Sequence, residues 1–589
     1  MSVFAIITRI AVPCAALILC LSAAFAQTPS AALDRLARDH WDAELRAAPF
    51  WATMLGVHDY DAQTPSVSPA DFAERAAEAK AQKARLDAID RAALSDDERV
   101  TAAILDYKLT QDIAFERFRD WRIPLTADSG FQTEMNFVVS ATRFESRRDY
   151  ENYLARLEKL PAWIDQNIAN MRLGLDEGYA LPKAILPGVL SSFDAQAAGE
   201  AEAHKLYQPF AEARGLTRKE AAALRKRAKA VIGAAVIPAY ARAAKFMRED
   251  YMAKAPDAIG ISARAGGAEE YAALIRYFTS RDDLDAEEIH ALGLKEVARI
   301  RAEMDGVIKS TGFKGDFKSF IEFLRTDPQF YPKSADELLM RAAWISKELD
   351  GKLPAFFGVL PRQPYTVAPV PEDIAPNYTT GRYVDAAPDS GRAGQYWVNT
   401  YALNQRPYYD LPALTAHEAV PGHHLQSALG YEINGAPEFR KQFYQNAFGE
   451  GWALYAEKLA REMGLYKTPY EEFGRLSMEM WRAARLVVDT GIHAKGWTRD
   501  QAMDFLASNT AMSLKNVQTE TDRYISWPGQ ALSYKIGELT ILELRARAEA
   551  KLGQKFDIRK FHDVVLTSGT MPLGELEARV DRWIASERE

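Results

Sequence analysis

Residues 414–426 read LTAHEAVPGHHLQ, and the fold and chemistry of the chain turn on whether this stretch is one helix or two. His417 and Glu418 open the pattern H-E-x-x-H, in which two histidines one turn apart bind a single Zn²⁺ while the glutamate acts as general base. The position of the second histidine is held by Pro421, and the next histidines are His423 and His424. In a straight helix His417 and His424 share a side but lie roughly 10 Å apart along the axis. Nitrogens on one zinc must be about 3 to 3.5 Å apart, so an intact helix cannot serve. Proline removes a backbone donor and clashes with the preceding turn, while glycine accepts unusual dihedrals. The helix is therefore expected to bulge or break at Pro421-Gly422, letting His423 or His424 swing back toward His417.

A third ligand is needed. Downstream, NAFGEGWALYAEKLAREMG (446–464) reads as a helix with Glu450, Ala453, Leu454 and Glu457 on one face. A carboxylate from this separate helix completes a His-His-Glu set that leaves one position open for water.

Working outward, the first residues carry one arginine, a long apolar run and a small-x-small end at Ala24-Phe25-Ala26. These are the marks of a secretory signal peptide, residues 1–26, cleaved after Ala26, so the mature chain is expected in the periplasm or secreted with no stable membrane span. Leu19 before Cys20 argues against a lipid-attachment site. Both cysteines, Cys14 and Cys20, fall inside this leader, and a chain of this length buries enough surface to do without disulfides. Losing the leader moves the formal charge from -8 to -9, and no basic block appears, which excludes nucleic acid as the natural partner.

Up to Lys352 helical spacing dominates, as in residues 68–89 (with Ser68 as cap), 149–178, 217–250 and 285–312. Between Leu353 and Tyr401 the texture turns to Pro, Gly, Tyr and Val, and YTVAPV, GRYVD and GQYWVNT read as short strands just before the histidine helix. Helices resume after Leu411. Residues 27–352 are thus expected to form an N-terminal helical lobe and residues 353–589 a catalytic lobe. Strand 394–401 is a candidate for pairing with an extended peptide, with Asn399 as the polar side chain to watch. Arg485, Asp489 and His493 recur at helical spacing as a structural stripe, with Asp489 a further candidate for orienting a ligand histidine.

HEAVPGHHLQ and GEGWALYAE resemble the bacterial family known as domain of unknown function 885, placed among zincin-like metallopeptidases of the Glu-zincin type. EIHALGLKEVARI, GQYWVNTY, RLVVDTGIHAKGWT and PGQALSYKIGEL extend the likeness over most of the mature chain. More distantly the layout is similar to carboxypeptidase Taq, thimet oligopeptidase and angiotensin-converting enzyme. The resemblance implies a mainly α, two-lobed fold with a small β-sheet beside the active-site helix and a deep central channel. It implies one Zn²⁺ per chain on His417, His424 and Glu450, with His423 as the alternative second ligand and Glu457 or Asp489 as alternative or supporting groups. Glu418 takes the base role, Tyr534 stabilises the oxyanion, and Arg523 and Tyr524 are further substrate-binding candidates. The implied activity is hydrolysis of short peptides, as a carboxypeptidase or dipeptidyl carboxypeptidase. The rival readings are a non-catalytic peptide-binding or scaffold protein whose metal site was altered at Val420-Pro421-Gly422, and an amidohydrolase of non-peptide amides.

Overall fold

The computed structural model describes residues 28–372, 375–386 and 391–589; the expected leader lies outside them. The chain is predominantly α-helical with one three-stranded sheet. A single buried apolar cluster runs from Leu33 to Ile584.

The helices begin and end where local chemistry dictates. Ser68 caps its helix through a reciprocal pair with Asp71. Further along the chain, helix α1 (Arg147–Asp176) starts at a Ser146–Asp149 capping box, and α2 (Ala286–Thr311) is capped by Asp285 and stopped by Gly312, whose φ of 74° is left-handed. The run expected at 217–250 is continuous from Arg218 to Lys254 and is long and apolar enough to cross a membrane by length and composition. It packs against α1, and Ala228, Ile232, Val236, Tyr240 and Ala243 along it are fully buried, as in a core helix. A widened turn at Ile232–Val236 precedes Pro238, the place where a missing amide hydrogen is best tolerated.

The sheet comprises β1 (Tyr365–Pro369), β2 (Gly381–Val384) and β3 (Gly394–Val398) in the order β1-β3-β2. Strand β3 runs parallel to β1, with Tyr365 opposite Gly394, and antiparallel to β2, with Gly381 opposite Val398. This corrects the expectation for β3: as the central strand it is hydrogen-bonded on both sides and has no edge to offer a peptide. Asn399 is not a substrate group either. It is fully buried, its Nδ2 donating to the carbonyls of Ala375, Tyr378 and Thr379 while its Oδ1 accepts from the Tyr401 amide. The free edge beside the histidine helix is β2.

Six further helices frame the site: α3 (Leu411–Glu418), α4 (His423–Tyr431), α5 (Asn446–Glu462), α6 (Pro469–Lys495), α7 (Leu514–Ser526) and α8 (Ser533–Leu552). Helix α6 is buried on every side from Phe473 to His493 and packs along α2. Helices α5 and α8 touch through Gly451 and Gly537: a Cβ added at Gly537 would lie 1.8 Å from the Ala447 carbonyl oxygen. That close approach brings Glu450, beside Gly451, and Tyr534, one turn before Gly537, to the same region.

Two buried histidines set an acid limit on stability. His493 accepts from the Ile261 amide and donates to the Tyr524 carbonyl, and burial pushes its pKa down to about 4. His562 donates to the Phe356 carbonyl and accepts from the Tyr455 hydroxyl, and burial pushes it down to about 3. In the unfolded chain both take a proton near pH 6.5. Their contribution is therefore complete above pH 6.5 and is lost as pH falls toward 4, by about 2 kcal/mol each at pH 5. Unfolding by denaturant is expected to show lower stability at pH 5 than at pH 7; a flat profile across that window would contradict the assignment.

Candidate metal centre

Helix α3 ends at Glu418, and α4 begins only at His423. Between them Ala419 (φ -93°, ψ -111°) and Gly422 (φ -80°, ψ -129°) leave the helical region, and the Val420–Pro421 peptide is cis. The excursion folds tightly onto the end of α3. A Cβ at Gly422 would lie 1.9 Å from the His417 carbonyl oxygen, so glycine is required. The Pro421 carbonyl accepts from the Trp452 indole at 2.8 Å, which ties the break to α5.

The break returns His423 to His417. Their rings stand perpendicular with centroids 4.9 Å apart, and both Nε2 atoms face one oxygen of Glu450. His417 Nε2 lies 3.7 Å and His423 Nε2 3.4 Å from Glu450 Oε2. The three donor atoms all lie within 4.8 Å of one another. Ligand atoms around one zinc, with bonds near 2 Å, stand about 3 to 3.5 Å apart, and two imidazoles with one carboxylate are a donor set that zinc accepts. The residues present therefore fit a metal ion.

Behind His417, Nδ1 donates to Glu457 Oε1 at 2.8 Å, which orients the ring so that Nε2 faces Glu450. Glu457 is thus placed as the carboxylate that orients His417, not as a ligand. Its other oxygen is buried without a hydrogen-bond partner among the described residues, and the Arg482 guanidinium stands 3.8 Å from Oε1. Burial alone would lower the His417 pKa, but hydrogen bonds to Glu450 and Glu457 and the nearby charge of Glu418 outweigh it and push the value up to about 10. Burial would raise that of Glu450, yet His417 and His423 hold it well below the usual carboxylate range.

Glu418 is buried beside His417, and its Oε2 accepts from the Tyr383 amide on β2 at 2.7 Å. The edge strand thereby orients this carboxylate.

Several expected residues lie elsewhere. His424, the second ligand implied by the resemblance, faces away from the cluster. It is next to His423 in a helix and so points about 100° around the axis. Its Nδ1 is hydrogen-bonded to the Tyr383 hydroxyl at 3.0 Å and its ring packs 4.5 Å from that of Tyr365, so it anchors the sheet to α4. Burial pushes its pKa down to about 4. His423, the alternative, takes the position beside Glu450. Asp489 does not reach a ligand histidine: it accepts from the Tyr271 hydroxyl and the Gly529 amide. Tyr524 is sealed in a polar network, accepting from Trp481 and Arg485 and donating to Glu520. Arg523 is committed to Gln530 and lies near Glu520. The expected stripe partner Arg485 joins that same network and stacks 4.2 Å from the Tyr534 ring centroid, which holds Tyr534 in place.

Three residues near the cluster escaped sequence reasoning. Tyr383 supplies the amide to Glu418 and the hydroxyl to His424. Tyr444 packs its ring on Gly449, immediately before Glu450; it is 44% exposed, yet desolvation drives its phenol well above the ordinary range. Arg382, on β2, senses the charges of Glu418 and Glu450. Tyr444 also lines a cavity of about 280 Å³ shared with Trp51, Tyr107, Lys108, Tyr277 and Phe443, between N-terminal helices and the start of α5. Only the Gln445 cap ahead of NAFGEG hinted at Tyr444.

The fold and site define a class: an α-helical protein with a small sheet, in which a broken helix and a neighbouring helix converge two histidines and a glutamate able to chelate a metal ion. The chain belongs to the family described as Bacterial protein of unknown function (DUF885), whose model matches residues 49–580. Among solved structures it is similar to a candidate lipoprotein from Colwellia psychrerythraea, at 29% identity and a TM-score of 0.89, over 95% of this chain and 100% of that one. It also shares its fold with a candidate lipoprotein of unknown function from Shewanella oneidensis, at 19% identity and a TM-score of 0.73, over 94% and 99% of the two chains. No curated protein matches.

The geometry separates the two adjacent histidines. His423→Ala is expected to abolish stoichiometric zinc binding, whereas His424→Ala keeps the metal and lowers thermal stability; Glu457→Gln weakens zinc affinity about 10- to 100-fold. Elemental analysis and competition with a chelator read these outcomes, and loss of metal in His424→Ala alone would reverse the assignment.

Proposed function

We propose that the protein is an exported, zinc-dependent hydrolase of short peptides, of the Glu-zincin type. The observation that carries the reading is the convergence of His417 Nε2 and His423 Nε2 on Glu450 Oε2, with the carboxylate of Glu418 next to His417. A zinc ion held by these three residues supplies Lewis acidity and lowers the pKa of water toward neutrality.

The chain's own residues do the rest. Glu418, steered by the Tyr383 amide, takes the proton of the attacking water on its free oxygen and returns it to the leaving amine. Tyr534, braced by Arg485, is the donor for negative charge developing on the substrate carbonyl oxygen, with Tyr444 nearby. The edge strand β2, pairing with β3 on one side only, offers an extended peptide its outward main-chain groups other than the Tyr383 amide, which Glu418 holds, and the aromatic cavity beside Tyr444 offers room for side chains. Export rests on the leader-like residues 1–26 and is in keeping with relatives described as candidate lipoproteins. Two lobes flanking this cleft, residues 27–352 and 353–589, complete the proposal.

A second reading, a metal-bearing peptide-binding protein without turnover, needs only the His417, His423 and Glu450 cluster and the free edge of β2. Glu418→Gln separates the two. The hydrolase is expected to keep its zinc and lose turnover on a peptide library about 10²- to 10⁴-fold. A binding protein shows no zinc-dependent cleavage before or after the substitution, and cleavage confined to small non-peptide amides would point to an amidohydrolase.

A further inference from the structure

The cavity beside Tyr444 pairs aromatic walls with a carboxylate that the hydrolytic site does not use. On the helix Asp96–Phe115, the residues Tyr107, Lys108, Gln111 and Asp112 share one face at three- and four-residue spacing, and that face forms one wall. Lys108 is ion-paired with Glu44, whose other oxygen stands 3.5 Å from His40 Nε2. Asp112, one turn beyond Lys108, is exposed and makes no hydrogen bond or ion pair among the described residues. The cavity thus holds two carboxylates and one ammonium, and the ammonium is in contact with Glu44.

The other walls are aromatic. The rings of Tyr107 and Tyr277 stand nearly parallel with centroids 6.4 Å apart, and Phe443 is steeply inclined to Tyr107 at 6.1 Å. Elsewhere the chain covers such faces with its own arginines, as Arg485 covers Tyr534 and Arg264 covers Tyr179. Among the described residues no cation lies over Tyr107, Tyr277 or Phe443. A ring face attracts a cation within about 6 Å of its centroid, and a free carboxylate adds a charge-assisted hydrogen bond. A primary ammonium, compact and with three donors, matches both, whereas an anion would meet Glu44 and Asp112 with like charge.

The cavity adjoins the metal centre. Asn446 lines it, and Glu450 follows four residues later on the same face of α5, about 6 Å along the axis. An extended peptide covers that distance in about two residues.

We propose that this cavity is a binding subsite for a primary ammonium group, with Asp112 as its counter-ion and the rings of Tyr107 and Tyr277 as its walls. It would present the metal centre with short peptides that carry a free amino terminus, or a lysine side chain, close to the cleaved bond. The use of the subsite for substrate rests on the hydrolase reading of the neighbouring centre; the subsite itself rests on the cavity.

The test is calorimetric binding to the full mature chain loaded with zinc, in a Glu418→Gln background so that no ligand is consumed. The probes are trialanine amide with a free amino terminus, its N-acetylated form, and N-acetylated lysyl-dialanine amide. The free amine is expected to bind about tenfold tighter than the acetylated peptide. Asp112→Asn, which breaks no contact in the fold, should erase that preference, and Lys108→Met, which removes a competing cation, should enlarge it. Recovery of affinity by the acetylated lysyl peptide names a side chain as the source of the ammonium, and its absence names the terminus. Equal binding of free and acetylated trialanine overturns the proposal, as does a preference that survives Asp112→Asn or shrinks in folded Lys108→Met. Failure of the unsubstituted zinc protein to cleave any peptide would contradict the hydrolase reading and leave the ammonium preference to be read on its own.

Discussion

The interruption of one helix at Ala419–Gly422 governs the candidate site. Were α3 to run on into α4, a histidine seven residues beyond His417 would lie about 10 Å further along the axis. By folding the backbone onto the His417 carbonyl, the break sets His423 beside His417 and turns both imidazoles to one carboxylate oxygen of Glu450. Gly422 is essential to this because the space where a side chain would begin is already filled by the end of α3.

The surrounding packing keeps the break in register. Trp452 reaches from α5 to the Pro421 carbonyl, and the glycine contact between α5 and α8 lets those helices approach until Glu450 and Tyr534 share one region. From the sheet side, Tyr383 uses its amide to hold Glu418 and its hydroxyl to hold His424. The two adjacent histidines therefore differ in what they do, His423 facing the cluster while His424 locks the sheet to the helix. The small sheet is a positioning element, and its free edge, β2, is the side turned toward the metal centre.

Much of this was legible in the sequence because it depends on local chemistry. Helix caps such as Ser68, the three strands and the break at Pro421-Gly422 follow from short-range rules, whereas the places of His417 and Glu450 in the cluster came from the family resemblance. Which of His423 and His424 returns to the cluster did not, because it depends on the angle at which α4 restarts, and the likeness to distant relatives pointed to the wrong neighbour. Asn399, Tyr524 and Asp489 were misassigned for a related reason. A polar side chain near a motif reads the same whether it faces a cleft or satisfies buried backbone groups, and only tertiary packing separates the two. Tyr383 and Tyr444 went unnoticed because their significance lies in contacts with distant helices, Tyr383 with Glu418 and His424 and Tyr444 with Gly449, which have no periodic signature.

The most direct test of the central claim is a crystal structure with anomalous data collected at the zinc edge. The account predicts a single anomalous peak bonded to His417 Nε2, His423 Nε2 and Glu450, with Glu457 on His417 Nδ1 and His424 still on Tyr383. A peak coordinated by His424, or protein supplied with zinc that shows none at this cluster, would contradict it.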